Sequence, residues 1–142
     1  MEINELIVSD EALNVIDNGA WVGDLPGYEG CRIFVRGMQS EKAQKFIQAR
    51  QAQLRSENDG EPLTQEQHMK ISREVLGEVI ITDWDGFTDK GKPAKFDKKQ
   101  VAAWLASRNG EKLAGIVFYG ANKIDRDAES FVESVTKNSL PA

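Results

Sequence analysis

The chain has 142 residues, of which 40% are hydrophobic and 29% charged, and its formal net charge at pH 7 is −5. This composition is typical of one globular domain and excludes a disordered chain. The negative charge argues against a protein that grips nucleic-acid phosphates nonspecifically. Lysines cluster between Lys90 and Lys99, but Asp89 and Asp97 flank them and no aromatic stacking platform accompanies them, so we interpret this stretch as a solvated loop.

A single cysteine, together with the absence of a secretory-signal pattern and of a membrane-helix pattern, predicts a cytosolic setting. Cys31 is the single cysteine, which excludes an intrachain disulfide. The start MEINELIV has neither the basic segment nor the long apolar run of a secretory signal. No stretch approaches the ~20 apolar residues that a membrane helix needs. We therefore predict a soluble intracellular protein.

Residues 1–38 are predicted to form an N-terminal arm followed by a β-hairpin. Leu6–Val8 favours either a short strand or a docked extended arm, and Ser9 or Asp10 is placed to cap a short helix that Gly19 closes. Around a turn-rich centre, Trp21 and Val22 are expected to face Ile33–Val35 across the hairpin. Because an isolated hairpin is marginal in water, this one must lie on the helices or pair with another chain.

Residues 40–136 are predicted to be the helical part of the protein. Ser40 caps one helix, and Thr64 with Gln67 forms a capping box at the start of the next. The apolar spacing of that second helix continues to Trp84. Between the two helices, residues 56–62 read as a mobile loop.

The stretch 79–105 contains the most clearly marked helix start in the chain. After the turn DWDGF and a charged connection, Asp97 is placed to cap a short helix. Four aromatic side chains flank the connection and are expected to pack together; they are Trp84, Phe87, Phe96 and Trp104.

The last helix is predicted to be continuous, because apolar residues from Leu113 to Val135 keep a three-four spacing over more than six turns. Residues 137–142 are expected to fray. The chain is thus one domain, 1–142, of mainly α (α+β) class, with a four-helix-type core and a small N-terminal β-hairpin.

Catalytic motifs are absent from the sequence. His68 is the only histidine and has no nucleophile or ligand pattern beside it. In the run Asp83, Asp85, Asp89 the oxygen spacing and the glycine position do not match a calcium loop. We therefore expect no enzyme, no metal and no cofactor.

The order of these elements resembles the tail assembly chaperones of long-tailed bacteriophages. The segment that carries the resemblance is Val79–Leu105: an apolar helix, then T-D-W-D-G-F, then G-K-P-A-K-F-D, then a helix. In that family this order recurs, and Trp21–Val22 with Arg32–Arg36 look like its N-terminal strands. The gene of such a chaperone lies between those of the major tail protein and the tape measure protein.

The resemblance implies a non-catalytic protein of the host cytoplasm. Such a chaperone binds the tape measure protein, keeps it soluble, helps recruit the major tail protein, self-associates, and is absent from the mature virion. It also implies ribosomal frameshifting, for which codons of Thr136–Asn138 can supply a slippery sequence. No nucleic acid or membrane is an expected partner.

The predicted partner-binding residues lie on the last helix and on the hairpin. They are Ile124, Phe131, Val135, Phe34 and Trp21. For each of them taken singly, the sequence pattern favours plain core packing over partner binding. Two other functions stay open: a tail completion or connector protein retained in the virion, and a small acidic phage regulator of a host protein.

Overall fold

A computed structural model describes the backbone of residues 1–139 and the side chains of residues 1–135. Within that part of the chain, six α-helices surround a small three-stranded sheet, and a second, two-stranded ribbon lies apart from it. The helices are α1 (Asp10–Asn18), α2 (Glu41–Glu57), α3 (Gln65–Val75), α4 (Lys98–Ala106), α5 (Glu111–Arg126) and α6 (Ala128–Ser139). The strands are β1 (Ala20–Val22), β2 (Arg32–Val35), β3 (Ile81–Asp85), β4 (Thr88–Asp89) and β5 (Lys92–Pro93). The predicted class, mainly α with a small β element, is confirmed.

The predicted helix starts are all observed. The hydroxyls of Ser9 and Ser40 accept backbone N–H groups of α1 and α2, at 3.1 and 3.3 Å. At α3 both halves of the capping box form, because Thr64 and Gln67 each accept from the other's backbone N–H. The carboxylate of Asp97 accepts from two N–H groups at the start of α4. Each cap satisfies donors that would otherwise lack an intrahelical partner.

The hairpin forms as predicted and gains a third strand. Trp21 lies opposite Phe34, and Val22 lies opposite Ile33. On its other side β2 pairs antiparallel with β3, so the sheet order is β1-β2-β3. The inner face of the sheet packs against α5, where a Cβ at Gly120 would lie 2.9 Å from Cδ1 of Ile33. The glycine therefore permits the close approach of helix and sheet.

The continuation of the second helix to Trp84 is wrong. The α-helix ends at Val75, one π-helical turn covers Leu76–Ile80, and Ile81–Asp85 is a strand. Apolar residues at these positions fit a helical spacing, but the run Val79–Thr82 is β-branched and the free edge of β2 supplies hydrogen-bond partners. The part predicted as helical, 40–136, thus contains three strands.

The single long C-terminal helix is also wrong. The chain leaves helical geometry at Asp127, with φ −116° and ψ 29°, and α6 begins at Ala128. The carbonyl of Asp127 accepts from the backbone N–H of Ser130 at 2.9 Å, which starts the new helix. α6 then packs on α1, and Ala128 is buried.

Two segments were predicted to be mobile or frayed, namely the loop 56–62 and the tail 137–142. Asn58 and Gln67 exchange two side-chain amide hydrogen bonds, at 2.7 and 3.1 Å, which tie the loop around residues 56–62 to α3. Its mobility stays a prediction. α6 continues to Ser139, whereas fraying was predicted from residue 137, and residues 140–142 of that predicted tail lie outside the described residues.

Candidate partner-binding surfaces

Ile124 lies in the core of the protein. It sits on the buried stripe of α5, and its exposed fraction is 0%. A side chain so placed contributes to stability and offers no surface to a partner. The sequence pattern correctly identified an apolar stripe, but which part of that stripe reaches the surface depends on the break at Asp127.

Phe131 and Val135 are half-buried on α6. Both pack against the edge of the main core and keep part of their surface accessible. The start of α6 is held by a hydrogen bond in which the backbone N–H of Ser9 donates to Oε1 of Glu129, at 3.1 Å. Phe131 and Val135 therefore form an apolar face on a helix that is anchored at its N-terminal end.

Trp21 and Phe34 lie together on the outer face of the sheet. Their rings meet edge to face, with centroids 5.4 Å apart. The guanidinium of Arg32 lies 4.2 Å from the centroid of the Trp21 ring and bonds the carboxylate of Asp85 at 3.1 Å. Because the ion pair is exposed, its main effect is to orient the groups. The result is a partly exposed aromatic pair with a cation held beside it.

The N-terminal arm, residues 1–8, is an apolar surface whose exposure the sequence pattern did not reveal. It contains a short 3₁₀ turn at Ile3–Glu5 and no strand. Ile7 and Val8 lie beside the corner between α5 and α6, yet they expose 63% and 46% of their surface. The sequence feature that could have indicated this surface is a group of large apolar residues in a segment that has no basic residues.

The aromatic residues of the stretch 79–105 cluster as predicted, except at one position. Trp84 lies 5.3 Å from Phe87 and 5.4 Å from Phe96, measured between ring centroids. Its indole Nε1–H donates to the carbonyl of Ala94 at 2.7 Å. Trp104 lines the same groove from α4 but remains 42% exposed. The cluster therefore has a packed interior and an accessible aromatic rim.

Asp125, at the end of α5, has an altered acidity. Partial burial raises the pKa of its carboxyl group above the ordinary value, and hydrogen bonds from the backbone N–H groups of Gln39 and Met38 offset part of this effect. Since the folded state holds the proton more tightly than the unfolded state, ionised Asp125 lowers stability at neutral pH. That cost disappears as the pH falls through the raised pKa.

Asp125→Asn is accordingly expected to raise the urea midpoint of unfolding at pH 7, because the amide oxygen still accepts from the backbone N–H of Gln39 while the partly buried charge is removed. The gain should shrink as the pH is lowered, when Asp125 itself becomes neutral. Urea unfolding at several pH values measures this, with Asp89→Asn at an exposed position as control. A midpoint lowered equally at every pH would contradict the expectation.

In the described part of the chain, no three His, Cys, Asp or Glu side chains come together as a metal site. No helix there is long and apolar enough to cross a membrane. What remains is a small α+β protein whose distinctive surface features are apolar and aromatic.

A family model described as YdaY prophage protein matches residues 38–138. Since the match covers well over half of the chain, the protein belongs to this prophage family and is a phage protein. The matched region contains α2 to α6 and the aromatic groove, whereas the arm, α1 and the first two strands precede it. No curated protein and no solved structure matches the chain.

Proposed function

We propose that this phage protein is a tail assembly chaperone that binds the tape measure protein, keeps it soluble and helps recruit tail tube subunits. It acts without catalysis in the host cytoplasm and leaves before the virion matures. Its partners are the tape measure protein and the major tail protein. The proposal rests on the resemblance carried by residues 79–105, and membership of a prophage family is consistent with it.

The structural observation that carries the proposal is the pair of partly exposed apolar surfaces, one on α6 and one on the sheet. Phe131 and Val135 present one on α6, and Trp21 with Phe34 presents the other on the sheet. Aromatic and aliphatic groups at such surfaces bind the apolar face of an amphipathic helix. A net charge of −5 keeps a complex with an aggregation-prone client in solution.

The test is co-expression with the tape measure protein of the same prophage. The soluble fraction of the tape measure protein should rise, and the two proteins should co-purify. Purified virions should lack the chaperone, whereas a connector protein would remain in them. Capture of a host protein in place of the tape measure protein would favour the alternative function, a small acidic phage regulator of a host protein. Frameshifting at Thr136–Asn138 stays a prediction about the gene, and the side chains of these residues lie outside those described.

Phe131→Asp is expected to abolish co-purification of the tape measure protein while leaving helix content intact, because a charge on α6 must be desolvated when the client binds. Pull-down and far-UV circular dichroism measure the two properties. Phe118→Asp is the matched control, since Phe118 is 44% exposed on α5, outside both surfaces. Loss of folding in the Phe131 variant would assign this residue to the core, and full capture would remove α6 from the binding surface.

A further inference from the structure

The net charge of the protein is concentrated at its N-terminus. Residues 1–19 contain five acidic residues and no Lys or Arg, so the other 18 acidic residues balance all 18 basic ones. The formal charge of −5 therefore lies entirely in the arm and α1. A segment with this charge attracts a cationic surface and repels another copy of itself.

The same segment exposes most of the large apolar side chains that the fold leaves in water. In the arm, Ile3, Leu6 and Ile7 expose 68%, 66% and 63% of their surface. Glu2 directly precedes Ile3 and Glu5 directly precedes Leu6, and neither carboxylate forms an ion pair within the described residues. The arm thus combines exposed aliphatic groups with unpaired carboxylates, and its binding partner must offer apolar contact next to positive charge.

A surface with these properties lies elsewhere on the same chain. We name it the aromatic–lysine groove, and it has a volume of about 420 Å³. Its walls are formed by Trp84, Phe87, Thr88, Asp89, Ala94, Lys95, Trp104 and Leu113. Five lysines lie between Lys90 and Lys99, all exposed, and across the described residues none of them forms an ion pair.

The arm and the groove lie at opposite ends of α5. The arm lies beside Asp125 and the start of α6, whereas the groove includes Leu113 in the first turn of α5. At 1.5 Å per residue these places are roughly 20 Å apart along the helix. In this fold one copy does not fill its own groove, and both surfaces stay free for a neighbouring copy.

We propose that the arm of one copy binds in the aromatic–lysine groove of a second copy. Leu6 and Ile7 contact the rings of Trp84 and Trp104, and Glu2 and Glu5 approach lysines of the segment 90–99. The occupant is a second copy because complementary charge and apolar contact are both present on this one chain. The contact is head-to-tail, so it produces chains or closed rings in place of a two-fold dimer. It does not depend on binding of the tape measure protein.

Analytical ultracentrifugation of the full chain tests this assembly. The mass of the wild type should rise with concentration, and added salt should weaken association because the contact is partly ionic. The arm variant Leu6→Asp/Ile7→Asp and the groove variant Lys92→Glu/Lys95→Glu should each lose all species heavier than the monomer. The matched controls are Met69→Asp, at an apolar side chain that is 59% exposed, and Lys42→Glu on α2, and both should assemble as the wild type does.

Mixing the two defective variants gives the sharpest readout. The arm variant keeps an intact groove and the groove variant keeps an intact arm, so together they should form a one-to-one dimer that grows no further. Circular dichroism verifies that both variants fold. A monomeric wild type at every concentration, assembly of either variant, or a mixture without the dimer would each overturn the proposal.

Discussion

Gly77→Val is expected to lower the free energy of unfolding strongly, because the position has no room for a side chain. Gly77 is buried in the π-helical turn between α3 and β3. A Cβ there would lie 2.7 Å from Cα of Ala102 and 2.9 Å from its Cβ, so α4 would have to move. Overpacking of this kind costs about 1–3 kcal/mol, and we expect Gly77→Ala to fall in that range and Gly77→Val at or above its upper end.

Gly115→Ala is the matched control for this prediction. Gly115 lies on the exposed side of α5, and a Cβ there meets no atom within 4 Å. Because alanine favours the helix, the free energy of unfolding should rise by about 0.5–1 kcal/mol. Urea unfolding of Gly77→Ala and of Gly115→Ala measures the two changes in the free energy of unfolding. Changes of the same sign would show that the contact between Gly77 and α4 does not limit packing.

Ile124→Ala is expected to lower the free energy of unfolding by about 2–5 kcal/mol, because it leaves a cavity in a fully buried site. Ile124→Val removes one methylene group and should cost about 0.5–1.5 kcal/mol. Phe118→Ala, at a 44% exposed position of the same helix, should change stability by no more than about 0.5 kcal/mol. Denaturant unfolding of the three variants measures these differences.

The Ile124 series also separates core packing from partner binding. A folded Ile124→Val protein should still capture the client proposed above, since the residue has no exposed surface. If Ile124→Ala left the free energy of unfolding unchanged but abolished capture, Ile124 would belong to the binding surface. The contrast with Phe131 is informative because the two residues share one apolar spacing in the sequence but lie on different helices.

Features governed by neighbouring residues were readable from the sequence. The caps at Ser40, Thr64 and Asp97 were predicted and observed because a cap involves side chains and N–H groups within one helical turn. That Trp21 and Val22 face the segment Ile33–Val35 followed from β-propensity on either side of a glycine-rich turn, whereas the exact register came from the structure. The fold class follows from the sum of such local preferences.

Features that depend on distant residues were not readable. The strand Ile81–Asp85 has an apolar spacing that also suits a helix, and pairing with Arg32–Val35 decides in favour of the strand. The break at Asp127 lets α6 turn onto α1, which places buried Ile124 and partly exposed Phe131 on different helices. Likewise, the sequence shows that the arm is acidic and apolar. Only the tertiary structure shows that its apolar side chains stay exposed to water. It also places the arm at the end of α5 that lies away from the aromatic–lysine groove. Local propensities select the elements, and burial between elements distant in the chain selects which faces remain for partners.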